Sequence, residues 1–136
     1  MLVPASVEKF MTATRGADGN FDHGNPMPLP FNQFNSNNEG GATITVDNKH
    51  LYFTVNKNGN FDICGSDFVD GSWSMIYNLG PNVNDQKQWD AQPSITPDGS
   101  AFYFASARDS LSGIDIYVSQ KGADGKWMKA RKLPYP

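Results

Sequence analysis

Along this chain apolar residues arrive in short bursts rather than at helical spacing. Runs of four to seven β-branched and aromatic residues alternate with clusters of Gly, Asn, Asp and Pro, the pattern of strands and turns. "GATITV" (41–46), "HLYFTV" (50–55), "FDICGS" (61–66) and "SWSMIY" (72–77) predict four successive strands. Only "DNK", "NKNGN" and "DFVDG" separate them, and connections that short predict an antiparallel meander. The expected class is all-β.

The four-strand phrase then recurs as "PSIT" (93–96), "AFYFAS" (101–106), "IDIYVSQ" (114–120) and "KWMKARKL" (126–133). Ile44 and Phe53 find counterparts 51 positions on, at Ile95 and Phe104, and Asp62 finds one 53 positions on, at Asp115. A half copy precedes both: "RGADGNF" (15–21) matches "KGADGKW" (121–127) at a separation of 106, twice 53. Four short strands per unit, at a period of 40 to 50 residues, is the pattern of a β-propeller blade. The expectation is two and a half blades: a half blade over 1–30, a blade over 40–79 and a blade over 91–136. Bursts such as "AFYFA" and "IDIYV" lack the polar alternation of a half-exposed sheet, which predicts a neighbour on both faces. In "TPDG" Pro97 presets φ, Asp98 bonds forward to the backbone and Gly99 accepts positive φ. Asn48 is expected in that same conformation in the earlier unit.

These elements carry a resemblance. Pro93–Ser106, Ile114–Tyr117, Gly125–Trp127 with its counterpart Gly71–Trp73, and Asn78–Asn84 occur in an order that resembles the WD-repeat-like, Pro-Asp-Gly propeller repeat of the TolB type. The middle unit departs from it, with Val46 in place of Pro and Ile63-Cys64 in place of Ile-Tyr. The resemblance implies a non-catalytic scaffold of the bacterial cell envelope or periplasm, outer-membrane associated, that binds a protein or cell-wall component. A different class also fits: the propeller portion of a glycan-processing enzyme or of a serine peptidase whose catalytic groups lie elsewhere. Because propellers close with roughly four to eight blades, two and a half leave bare faces at both ends. The expectation is a segment of a longer propeller, its faces covered by remaining blades or by self-association.

Composition narrows partners. Eleven Lys and Arg against 14 Asp and Glu, a net charge of −3, give no basic footprint for nucleic acid. No apolar run approaches the roughly 20 residues of a membrane span, and the first residues lack a signal-peptide pattern. Cys64 is the single cysteine, expected as a small buried strand residue.

Candidate chemistry is sparse. Residues that recur at the period read as architecture, which covers Asp62, Asp115, Asp98, Gly99, Trp73 and Trp127, the two strand acids being expected to bond backbone or turn groups. Glu39 and Asp90, also one period apart, are expected to pin the start of the innermost strand. His23 and His50 show no triad or metal spacing, and Asn56–Asp62 reads as a hairpin turn rather than a calcium loop. No cofactor, metal or catalytic residue is expected. The irregular loops, 30–40, 56–60, 80–91 and 107–113, are expected on one face, where binding residues are usually carried. "SARDSLSG" is two residues longer than its counterpart, so Gln88, Trp89, Arg108 and Asp109 are the candidate ligand contacts. Against that stands a structural reading: Trp89 packing on a neighbour, and Arg108 paired with Asp109 in solvent.

Overall fold

The computed structural model describes residues 8–32, 38–57 and 59–134; the predicted features at 1–7, 33–37, Asn58 and 135–136 lie outside them. Every regular element among the described residues is a β-strand. The first sheet pairs β1 (Met11–Thr12) with β2 (Asn25–Pro26). The second contains β3 (Asn38–Ile44), β4 (His50–Lys57), β5 (Asn60–Val69), β6 (Ser72–Trp73) and β7 (Tyr77–Asn78) in the order β3-β4-β5-β6, with β7 also on β5. The third runs β8 (Asp90–Ile95), β9 (Ala101–Ser106), β10 (Asp115–Gln120) and β11 (Arg131–Lys132), each paired antiparallel with the next. Both meanders predicted from the sequence are present, as all-β antiparallel sheets, none of which closes on itself.

Turn chemistry explains the hairpins. Asp98 Oδ1 accepts from Thr96 Oγ1 at 2.6 Å and from Ser100 N at 3.0 Å, while Gly99 has φ 70°. Asp47 Oδ1 accepts from Lys49 N at 3.0 Å and Asn48 takes φ 58°, the expected equivalent. The two Ala-Asp-Gly loops are also twins, with Gly16 N to Asn20 O at 2.7 Å and Gly122 N to Lys126 O at 2.8 Å. The middle unit shortens that loop to two residues. Asp70 and Gly71, at φ 49° and 82°, connect Val69 directly to Ser72, as a two-residue primed turn requires.

In each four-strand unit the fourth strand differs from prediction: it is two pieces rather than one. β6 and β7 stand apart around Ser74–Ile76, and Lys121↔Trp127 is an isolated bridge ahead of β11. The buried Ser66 hydroxyl donates to the Ser74 carbonyl at 2.8 Å, and the buried Ser119 hydroxyl bonds the Met128 carbonyl. A hydroxyl replaces a ladder partner just after each tryptophan, so the strand bends away there. The first strands share a bulge as well, between Gly40 and Thr43 and between Ala91 and Ser94, with Gly41 at φ 53° and Gln92 at φ 54°.

The second sheet has apolar side chains on both faces because both are covered. Leu51, Phe53 and Cys64 pack with Phe31, Phe10, Met27, Trp73 and Ile76 on one side. Tyr52 and Ile63 pack with Val83, Phe102, Phe104 and Tyr117 on the other. Phe53 meets Phe10 and Phe31 edge-on at 5.2 and 5.6 Å between ring centroids, and Tyr52 meets Phe102 at 5.2 Å. Each such aromatic pair adds about 0.5–1.5 kcal/mol beyond its buried area. Cys64 is buried as expected, and that burial holds its thiol up at about 12. The third sheet is covered on one face by the second, whereas Tyr103, Ile114 and Ile116 stay exposed, so the two-sided cover expected for these bursts is realised on one side only within this chain.

The linkers lock one sheet to the next by a device the sequence reading did not assign. Asn84 Oδ1 accepts from Ile63 N and its Nδ2 donates to Ile63 O, both at 2.8 Å. Fifty-two positions earlier, Asn32 does the same to Phe10, with both bonds at 2.9 Å. The residue before each asparagine, Phe31 or Val83, is a buried plug between sheets.

Replacing Asn84 by Ala is expected to lower the unfolding free energy by about 1–3 kcal/mol, since the buried Ile63 N–H loses its partner while the Ile63 carbonyl keeps only the Leu79 N–H. Urea denaturation checks this, with Asn32→Ala as the matched case; an unmoved midpoint refutes the locking role. Asp98, fully exposed, is lowered from 3.8 to about 2 by the Thr96 hydroxyl and then by the Ser100 backbone N–H. Its carboxylate therefore stabilises the turn above about pH 4, and the contribution is lost as pH falls through about 2. Carboxyl-carbon NMR titration should place the Asp98 midpoint near 2, and Asp98→Asn should flatten the acid limb of the stability curve.

Candidate functional site

The four candidate contacts lie at one end of the third sheet, where β8 begins and β9 ends. Ala107 N donates to Trp89 O at 3.1 Å, which sets the 88–90 segment beside the 107–109 segment. Asp90 faces Ser106 across the ladder and buries its side chain completely. A lone buried carboxylate would be costly, and here two groups satisfy it. Arg108 Nη2 reaches Asp90 Oδ1 at 2.6 Å, and Asp85 N donates to Asp90 Oδ2 at 2.6 Å. The same Arg108 donates from Nε to Ser106 Oγ at 2.8 Å and from Nη2 to the Val83 carbonyl. Its guanidinium also lies over the rings of Phe104 and Tyr117, at 5.3 and 4.6 Å from their centroids.

Arg108 is thus an anchor and not an exposed contact. The Arg108–Asp109 pair expected as the structural reading is replaced by two others. Arg108 turns inward to Asp90, and Asp109 takes Lys132 at 3.0 Å. Burial drives the exchange: Asp90 needs a cation, and Asp109 stands where β11 already presents one. Asp109 also accepts from Leu111 N at 3.1 Å, and its carboxyl is held low first by Lys132 and then by that N–H. Lys132 further pairs with Asp115 at 2.8 Å and donates to Ser112 Oγ at 2.7 Å, and the Asp115 carboxylate, then that of Asp109, raises its own ammonium. The loop 107–113 is therefore fixed at both ends. At its tip Leu111 is 98% exposed. Gln88 is exposed and Trp89 half-buried beside it.

The strand acids bond side chains rather than the expected backbone and turn groups alone. Asp62 accepts from Asn78 Nδ2 at 3.0 Å and from Asn60 Nδ2 at 3.3 Å, while Asp115 has Lys132 and Ser112. Asn78 and Lys132 occupy matching positions on the outermost strands, so the acid recurs while its partner changes. Glu39 and Asp90 do pin the starts of β3 and β8: Glu39 Oε2 accepts from Asn32 N at 3.2 Å, as Asp90 accepts from Asp85 N. The 56–62 segment is a hairpin turn, with Lys57 opposite Asn60 and Gly59 N donating to Asn56 Oδ1 at 3.1 Å.

Between the second sheet and the linker that leaves it, a cleft of about 340 Å³ is lined by Asn60, Asp62, Asn78, Asn84, Asp85 and Gln86, with Gly80 and Pro81. It adjoins the 88–90 segment through Asp85, whose Oδ1 accepts from Lys87 N at 2.9 Å and Gln88 N at 3.1 Å. Those backbone N–H groups hold the Asp85 carboxyl low, whereas burial raises that of Asp62. Two carboxylates beside the amides of Asn60, Asn78 and Gln86 offer acceptors and donors for a hydroxyl- or amide-rich ligand, while the Asn84 amide is committed to Ile63 and Asn78. The sequence reading missed the cleft because its lining comes from β5, β7 and the linker. Asp62 had been set aside there as architecture.

Replacing Arg108 by Met leaves Asp90 buried without its cation and is expected to cost about 3–5 kcal/mol. Pairing it with Asp90→Asn should recover much of that loss, and Asp109→Asn, at a partly exposed ion pair, should cost far less than Arg108→Met. Chemical denaturation of the three variants checks the order; equal losses for Arg108→Met and Asp109→Asn would refute the anchor. No protein-family model matches the chain, and no curated protein matches it.

Proposed function

We propose that the chain is part of a β-propeller of the Pro-Asp-Gly type and acts as a non-catalytic scaffold that binds a protein or cell-wall component in the bacterial cell envelope. Support for the propeller reading comes from four-stranded meanders stacked face to face, with a repeated first-strand bulge and a repeated linker asparagine. Hydrogen bonds also join the first strand of the third sheet to the second sheet, from Ile95 N to Thr43 Oγ1 at 3.3 Å and from Gln92 N to Thr54 Oγ1 at 3.0 Å. The envelope assignment draws on the sequence resemblance. Among the described residues no helix is long and apolar enough to cross a membrane.

The observation that carries the binding role is the 107–113 loop. It breaks the repeat, it is tied at its base by Arg108 and Lys132, and it holds an apolar side chain almost fully in water at its tip. Ordering the base of a loop before contact removes part of the entropy cost of association, and an apolar group ringed by polar ones matches the core-and-rim make-up of partner interfaces. Leu111 supplies the anchor, Trp89 and Gln88 the adjacent surface, and the amide-lined cleft the polar contacts.

Titration of the labelled chain with soluble peptidoglycan fragments should perturb amide signals at 86–90 and 107–113. Photo-crosslinking from position 111 in isolated bacterial envelopes covers the protein arm. Leu111→Asp combined with Trp89→Ala should weaken whichever complex forms by at least about tenfold. Absence of both complexes, or binding indifferent to the substitutions, would overturn the proposal.

A further inference from the structure

The junction between the second and third sheets shows what covers the residues that stay exposed at matching positions of the first and third. Tyr52 and Ile63, on the face of the second sheet turned toward the third, are 3% and 0% exposed. Their counterparts one period on are Tyr103 and Ile116. These project from the far face of the third sheet, opposite Phe102 and Phe104 on β9 and Tyr117 on β10, and are 37% and 48% exposed. Cross-strand pairing sets Tyr103 by Val118 and Ile116 by Ala105, so the two larger groups stand around neighbours already out of water.

The opposite end presents the matching half of the contact. Tyr117 and Trp127 belong to the third-sheet cluster that covers Tyr52 and Ile63, with Trp127 edge-on to Tyr52 at 6.2 Å. Their counterparts 106 positions earlier are Met11 and Phe21, which are 55% and 67% exposed. One end of the stack thus carries residues at the covered positions of the repeat, and the other carries residues at the covering positions.

We propose that the Tyr103–Ile116 face of the third sheet binds the Met11–Phe21 face of a second copy of this chain, head to tail. The occupant is specified by the internal junction: Tyr52 and Ile63 against Tyr117 and Trp127 is the same pairing made within one chain. Such an interface is heterologous, so each copy keeps one donor face and one acceptor face, and the assembly closes into a ring or extends. With two strands among the described residues of the first sheet, the covering surface is smaller than the internal one, and the association is concentration-dependent. It is independent of what the 107–113 loop binds.

Sedimentation of the chain, 15.0 kDa as a monomer, should give an average mass that rises with concentration. Ile116→Lys and Phe21→Lys change exposed residues, so circular dichroism and melting should stay native. Each variant alone should associate at least about tenfold more weakly, since a charge then enters an apolar contact. An equimolar mixture should restore a dimer and nothing larger, because the Phe21→Lys chain keeps an intact Tyr103–Ile116 face and the Ile116→Lys chain an intact Met11–Phe21 face. A wild-type chain that stays monomeric, a mixture that fails to associate, or loss on Ile116→Lys alone would each overturn the proposal.

Discussion

Asn84 and Asn32 each direct both ends of one side-chain amide at the N–H and C=O of one residue in the preceding sheet, and the stack depends on that pairing. A linker leaving the outer edge of a sheet must cross its face before starting the next, and there buried backbone groups need partners. The asparagine supplies them, and chain geometry does the rest. Phe31 or Val83 falls between the sheets as a plug, and the linker N–H of Asn32 or Asp85 meets the acid that starts the next first strand. Apolar cover, register and strand entry all follow from where one amide sits.

At the second junction this arrangement has been given a charge. Glu39, raised by burial, accepts from a backbone N–H, while its successor Asp90 is sealed completely and takes a guanidinium as well. Arg108 comes from the longer loop that departs from the repeat, and it reaches the linker carbonyl of Val83 in addition to Asp90. A departure in loop length thus becomes structural at its base and free at its tip. The regular scaffold sets the position of Leu111, and the irregularity makes it available.

Much of this was legible in the chain. Turn chemistry at Asp98-Gly99 and at Asp47-Asn48 is local, acting over two to four residues, so it located the hairpins and even the positive φ of Asn48. The all-β class followed from the same signals. Pairings that cross between strands were less accessible: Arg108 lies one residue from Asp109 but chooses Asp90, 18 positions away, because burial outweighs proximity. The asparagine device did leave a trace, since Asn32 and Asn84 each follow a large apolar residue at a constant interval. Nothing in either neighbourhood announces, however, that the amide turns back to a residue 21 or 22 positions earlier. The divided fourth strand was illegible for a similar reason, as the serine that bends it sits on the strand before.

Among the described residues, the asparagine clamps and the Thr43 and Thr54 bonds at the junctions each join neighbouring units, across at most about one period. Such a chain is a one-dimensional array whose stability accrues by nearest-neighbour coupling. A unit cut between one linker asparagine and the next carries its own plug, its own clamp and both of its mating faces. Adding one more such stretch to the chain would therefore add a sheet without redesign of the existing ones.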